Sequence, residues 1–257
     1  MSSHPGRLTH LALPCRDLDA STEWYEAHTP LRVVHRRIDP DGQVAWIAEP
    51  DRPGTPFVLV LIGPPADDGE HEPQPVLTSP AHLGIELDSR DDVDEVAERG
   101  RAAGCLAWEP VELPQPVGYI CAIADPDGNQ WAFFAPDEMP AGAMEVSTSD
   151  GVGRISHAVY GSRDLQRTAG FYEEYCGVRP VQSTAIPEDT LVLRLQGGAR
   201  IVYNLVDVPD ERTAGHGPWW DMHTALTVRD DEFFPNYQRM WAGLPEEPGP
   251  KEDINLP

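Results

Sequence analysis

Four histidines recur at matched places in this chain, and imidazole is the side chain best suited to bind a metal or carry a proton near neutral pH. His10 lies in RLTHLALPCRDLDASTEWYE, which begins at Arg7, and His157 lies in RISHAVYGSRDLQRTAGFYE, which begins at Arg154. The segments align without a gap at an offset of 147, sharing Arg, an aliphatic residue, a hydroxyl, His, then Arg-Asp-Leu and an aromatic-Tyr-Glu triplet. A later histidine recurs too, His82 in AHLGIELD and His223 in MHTALTVRD. Two imidazoles aimed into one hollow can chelate a divalent ion and leave further positions open to water or substrate oxygens. Histidine also serves as a satisfied core side chain. Two matched positions in each half are more than packing requires. His4, His28, His35, His71 and His216 fall in termini, helix ends or loops and read as solvated. Cys15, Cys105, Cys121 and Cys176 are scattered, with no C-x-x-C pair, and read as free thiols rather than disulfides or a thiolate metal site.

Strands and helices must aim these histidines. LTHLALP alternates around His10 and reads as a strand, with Leu8, His10 and Ala12 expected on one face. Asp17 offers an N-cap for DLDASTEWYEAHT, and LRVVHRRI, QVAWIAE and FVLVLIG supply three strands. The order then repeats: HLGIELD, an amphipathic helix DDVDEVAERGRAAG ending at Gly104, then CLAWEPVEL, GYICAIADPDGN and QWAFFAP. The Pro-rich acidic stretch from Gly63 to Pro80 reads as a solvated crossover. These elements make a first domain at 5–136, and 137–152 has linker composition. A second domain at 153–257 restarts with RISHAVY and the helix RDLQRTAGFYEEYC. Strands VRPVQS, TLVLRLQ, RIVYNLVD and MHTALTV and the helix DEFFPNYQRMWAGL follow. It reads as incomplete, five strands against eight, with an acidic Pro-rich tail. Trp24, Tyr25, Phe171 and Tyr172 hold corresponding helix positions and are expected to pack helix on sheet.

Composition narrows the partners. Lys and Arg number 19 against 43 Asp and Glu, a net charge of −24, which repels phosphate backbones and anionic lipid. Nucleic-acid and membrane partners are therefore not expected, and a cationic ligand suits the balance. No apolar run nears the ~20 residues of a membrane span, and the first residues lack a signal-peptide core, so a cytoplasmic protein is expected.

A βαβββ unit repeated within each domain, a histidine on the first and fifth strands, and DPDGN at Asp125 to Asn129 resemble the vicinal oxygen chelate superfamily. That group includes glyoxalase I, extradiol dioxygenases and bleomycin-binding proteins. The resemblance covers Arg7 to Pro136 and, more loosely, Arg154 to about Leu244. It implies an α+β fold of tandem domains whose clefts hold a divalent metal, with ligands from the first, fourth, fifth and eighth strands of each domain. His10 and His82 take the first and fifth positions, and His157 and His223 take them in the second half. The fourth strand FVLVLIG is aliphatic, and Ala132 stands where the last carboxylate is expected. Glu86 shares a face with His82 but lies ~13 Å along the strand, too far for a common ion. Tyr119, with Cys121 nearby, and Tyr203 beside Asn204 are candidates to line the clefts and touch substrate.

The resemblance implies a divalent-metal enzyme of oxygenase or lyase type. His10 with His82, or His157 with His223, would carry Fe2+, Mn2+ or Zn2+ against a small oxygenated metabolite. A metal-free small-molecule binder of the bleomycin-resistance type is the alternative. A structural subunit, possible as a homodimer that completes its sheets from a second copy, is a third reading.

Overall fold

The computed structural model describes residues 7–39, 42–49, 59–63, 77, 81–113, 118–135, 155–184, 186–195, 199–206 and 223–227, with 235, 238 and 239. The first unit is β1 (Arg7–Pro14), α1 (Leu18–His28), β2 (Arg32–Asp39), β3 (Gly42–Ala48) and β4 (Leu59–Gly63). The second is β5 (His82–Glu86), α2 (Arg90–Ala103), β6 (Leu106–Leu113), β7 (Gly118–Ala124) and β8 (Gln130–Ala135). Then come β9 (Ile155–Ser162), α3 (Leu165–Cys176), β10 (Thr190–Arg194), β11 (Arg200–Leu205) and β12 (His223–Thr227). This is the expected α+β architecture. VRPVQS is no strand here; it makes an isolated bridge between Pro180 and Leu193. The linker at 137–152, the tail and most of DEFFPNYQRMWAGL lie outside the described residues. No helix among the described residues is long and apolar enough to cross a membrane.

Helix starts follow their caps. The Asp17 carboxylate accepts from the backbone N–H of Asp19 and Ala20, and Asp164 does the same for Arg167. Gly104 closes α2 at φ 72°, a left-handed conformation that glycine adopts without strain.

The sheets do not follow the two halves of the sequence. A five-stranded sheet runs β12-β1-β4-β3-β2, and a seven-stranded sheet runs β10-β11-β9-β5-β8-β7-β6. First strands therefore meet across the halves: β1 lies antiparallel to β12, and β5 lies antiparallel to β9. The seams pair β12 with β1 and β9 with β5 within the chain, and among the described residues β12, β2, β10 and β6 end the two sheets. Alternate residues of both sheets face the helices in one large core that includes Leu11, Leu13, Leu61, Leu83, Ile85, Trp131, Phe133, Ile155 and Ala158. The opposite faces carry two small apolar groups, Ala12 with Val44, Val60 and Ile62, and Ala132 with Ile120 and Phe134.

The Asp-Pro-Asp-Gly-Asn turn locks the units together. Asp125 is buried, and its carboxylate accepts from the N–H of Asp127 (3.0 Å) and Asn129 (2.8 Å), from the Asn129 side chain (3.1 Å) and from the Tyr25 hydroxyl (2.7 Å). Asp127 accepts from the backbone N–H and the guanidinium Nε of Arg16 at 3.0 and 3.1 Å. Leu77, from the crossover, donates its N–H to Asn129 (3.2 Å) and accepts from Gln130 N–H (2.8 Å). The motif is thus a clamp between α1 and the second unit, not a member of the histidine site.

Candidate functional site

Each first-strand histidine follows a β-bulge. In β1 the register shifts between Leu8 and His10; in the β5–β9 pair it shifts between Ile85 and Gly84, opposite Ile155 and His157. The bulge breaks simple alternation. Leu8 enters the helix-side core with Leu11, whereas His10 and Ala12 take the opposite face; Ile155 and Ala158 mirror this, leaving His157 and Val159 outward. The expected grouping of Leu8 with His10 is corrected accordingly.

The bulged residue is a hydroxyl in both copies. Thr9 Oγ1 donates to the Ala225 carbonyl across the seam (3.2 Å) and lies 3.1 Å from His10 Nδ1. Ser156 Oγ reaches the Gly84 carbonyl (3.5 Å) and lies 2.8 Å from His157 Nδ1. Each hydroxyl thus lies within hydrogen-bond distance of both the imidazole Nδ1 and a carbonyl across the seam, and it holds the ring from behind, as partners of histidine ligands commonly do.

At the β5–β9 seam the His157 ring meets a second imidazole. His157 Nε2 lies 3.3 Å from His82 Nε2, with the rings edge-to-face at 86°. Trp108 packs edge-on against His82 at 5.2 Å, and Phe134 lies 5.2 Å from His157. Gly84 supplies the space for the His157 ring, since a Cβ there would fall 2.1 Å from Cε1. Burial, the neighbouring His82 and the Arg200 guanidinium push the His157 pKa well below the ordinary imidazole value of 6.5, so His157 is neutral. Arg200 stands opposite His157 in the β9–β11 register.

The pairing crosses the halves. His10 lies in the five-stranded sheet and His82 in the seven-stranded one, and His157 and His223 are divided likewise. The expected couples within each half are replaced by His82 with His157, while the β1–β12 seam sets His223 beside Ala12 and Ala225 beside His10. Tyr119 is turned to the helix side: its hydroxyl donates to Asp94 of α2 (2.7 Å), and its ring carries the Arg90 guanidinium at 4.8 Å. Cys121 also faces α2, its thiol 3.5 Å from the Val93 carbonyl, and burial raises its pKa to about 12. Tyr203 packs toward α3, with its hydroxyl 2.8 Å from that of Tyr172. Neither tyrosine shares a face with the histidine pair. Gly84, Ser156, Trp108, Phe134 and Arg200 do contribute around it. Only the hydroxyl before each histidine was visible as a repeated signal in the sequence.

As a metal centre the pair fits in spacing but falls short in donors. Two ligands about 2.1 Å from one ion stand roughly 3–3.5 Å apart, as these nitrogens do. The neighbouring positions on that face are Ala132, beside Gly84, and Val202, beside Val159. Among the described residues no group of three or more His, Cys, Asp or Glu is placed to hold an ion. The nearby Arg200 also repels a dication.

Known proteins share this fold. Residues 7–133 match the model of the Glyoxalase/Bleomycin resistance protein/Dioxygenase superfamily. An uncharacterized protein of Pseudomonas aeruginosa is 41% identical over 128 residues, 49% of this chain and 86% of that protein. Among solved structures, a Bacillus subtilis protein assigned as a dioxygenase aligns with a TM-score of 0.61 at 17% identity, covering 94% of this chain and 76% of its own. Glyoxalase I from Zea mays aligns at 0.57 and 18% identity, covering 77% and 68%. At these identities the solved structures speak for the fold. With its βαβββ units joined through their first strands, the chain belongs to the glyoxalase/bleomycin resistance protein/dioxygenase superfamily.

Proposed function

We propose that this protein binds a small organic molecule on the seven-stranded sheet, over the His82–His157 pair, without a resident metal. The observation that supports this is the apolar character of the positions flanking the pair, Ala132 and Val202, where a chelating site needs an acid. Ala132, Ile120 and Phe134 form an apolar bed with Trp108 against it, and the imidazoles are the polar anchor for an oxygen-bearing group. The two Nε2 atoms lie within hydrogen-bond distance of each other, and a ligand hydroxyl or carbonyl oxygen can exchange for that contact.

The test is a thermal-shift and titration screen of chelator-treated protein against small aromatic and oxygenated metabolites. The expected result is a ligand whose affinity falls tenfold or more in His82→Ala and His157→Ala. Affinity that appears only after metal is restored would overturn it. A second reading, an Fe2+, Mn2+ or Zn2+ enzyme of oxygenase or lyase type using the same imidazoles, draws support from the 3.3 Å separation alone. Elemental analysis of protein purified without chelator separates the two: a stoichiometric ion lost in both alanine variants favours the enzyme.

A further inference from the structure

A row of facing residues crosses the seven-stranded sheet at the histidine pair. Arg194 of β10 stands opposite Arg200 of β11, Arg200 opposite His157 of β9, His157 opposite Gly84 of β5, and Gly84 opposite Ala132 of β8. Arg194 lies between Leu193 and Leu195, and Arg200 lies between Ala199 and Ile201. Those four neighbours belong to the helix-side core, so both arginine side chains leave on the face that carries the imidazoles. Arg194 is exposed and Arg200 is partly buried.

Like charges directly opposite on neighbouring strands destabilise a sheet. Two facing arginines are the more notable in a chain with 19 basic residues against 43 acidic ones. Burial and the Arg194 charge pull the Arg200 pKa down, and the Glu86 carboxylate pulls it up. Among the described residues these are the charges that act on Arg200, so the three groups carry a net positive charge beside neutral His157. A guanidinium has five N–H donors, so a partner within the protein still leaves donors for a ligand. Its planar fork matches a carboxylate. One net positive charge suits a monoanion better than a phosphate monoester, which carries nearly two negative charges.

On the reading that this face binds a small organic molecule, we propose that Arg194 and Arg200 form its anion-binding end and that the ligand is an aromatic carboxylic acid. The carboxylate lies on the guanidinium pair, a neighbouring oxygen lies on His157, and the ring extends toward Ala132 and Phe134. Adjacent strands are ~4.8 Å apart, so one small molecule reaches both Arg200 and His157.

The experiment titrates the full chelator-treated chain with 2-hydroxybenzoate and with its uncharged amide, 2-hydroxybenzamide. The acid should bind about tenfold or more tightly than the amide, and added salt should narrow the difference. Arg194→Gln should reduce that preference to about threefold or less; its side chain is exposed, so the melting temperature should hold within about two degrees. Arg200→Lys keeps the charge and loses the fork, and it should weaken the acid several-fold with little change for the amide. Equal affinity for acid and amide, both lost in His157→Ala, would overturn the anion-binding end and leave small-molecule binding at the imidazoles standing. An acid preference unchanged in both arginine variants, tighter binding of phenyl phosphate than of the acid, or no binding of the acid at all would also overturn it. Acid that binds only after metal is restored would instead overturn the metal-free reading on which it rests.

Discussion

Tyr25 in α1 and Tyr172 in α3 occupy the same place in the repeat, yet one is locked into the protein and the other only leans on its own unit. Tyr25 is fully buried; its hydroxyl donates to Asp125 (2.7 Å) and accepts from the indole N–H of Trp131 (2.9 Å), both from the second unit. Among the described residues the Tyr172 hydroxyl meets that of Tyr203 on the strand beneath it, at 2.8 Å. α1 buries Leu18, Ser21, Thr22 and Tyr25, whereas no residue of α3 is fully buried, and Phe171 is 41% exposed. The two helices align without a gap and share Leu18 with Leu165, Tyr25 with Tyr172 and Glu26 with Glu173. The difference lies in what the neighbouring unit offers: an acidic turn ending in Trp131 for α1, and no counterpart among the described residues for α3. Helix burial here is decided between units, not by the helix itself.

Removing the acid at the centre of that lock should have the largest effect. Asp125→Ala strips the partner from the Tyr25 hydroxyl, the Asn129 amide and two backbone N–H groups in a buried place. A loss of about 3–5 kcal/mol is expected in urea denaturation, because several buried donors are left unsatisfied together. Tyr172→Phe, which removes one bond in a partly buried place, should cost only about 1 kcal/mol. Equal losses would mean that the two helices are held equally and that the comparison is wrong.

The same lock shows what a sequence can and cannot reveal. The offset of 147 between His10 and His157 announced the equivalent registers of the two seams. It did not announce that β5 would neighbour β9, because strand adjacency between units is a long-range choice with no local signature. His82 with His157 was therefore hidden while each histidine was visible. DPDGN was legible as a motif, but its service to Tyr25 was not, since 100 residues separate Asp125 from its partner. Tyr119 was a matter of parity: it alternates in phase with Cys121 and Ile123, which face α2, and out of phase with Ile120 and Ala122. Gly84 sits in the strand segment HLGIELD with no local signal that the His157 ring packs over it.

Alkaline titration gives a second, smaller contrast. Burial and the Asp125 charge push the Tyr25 pKa well above 10, and burial raises Tyr172 to about 12. A phenol whose folded pKa is raised contributes stability that is fully present below its unfolded value and is lost as pH rises toward the folded one. Stability should therefore fall above about pH 10, and Tyr25→Phe should remove more of that fall than Tyr172→Phe. On the acid side the sign reverses. His157 has a depressed pKa, so its contribution is present above pH 6.5 and lost as pH falls below it. His157→Gln should flatten this limb in urea denaturation followed across that pH range.

The smallest effect is expected on the outer face of α3. Phe171 matches Trp24, which packs edge-to-face on Tyr25 at 5.0 Å and leans on His28 at 5.0 Å. Phe171 makes similar ring contacts with Tyr172 and Tyr175, at 5.6 and 5.1 Å, while leaving 41% of its surface exposed. Such a ring removes little apolar area from water on folding, so Phe171→Ser should shift stability by less than about 1 kcal/mol, against about 2 kcal/mol or more for Trp24→Ser. Thermal denaturation of the two variants side by side decides it. A loss at Phe171 as large as at Trp24 would mean that α3 is covered in solution and that the asymmetry between the helices is not intrinsic to the fold. A small one ties the tighter packing of α1 to the acidic turn that reaches it from the second unit.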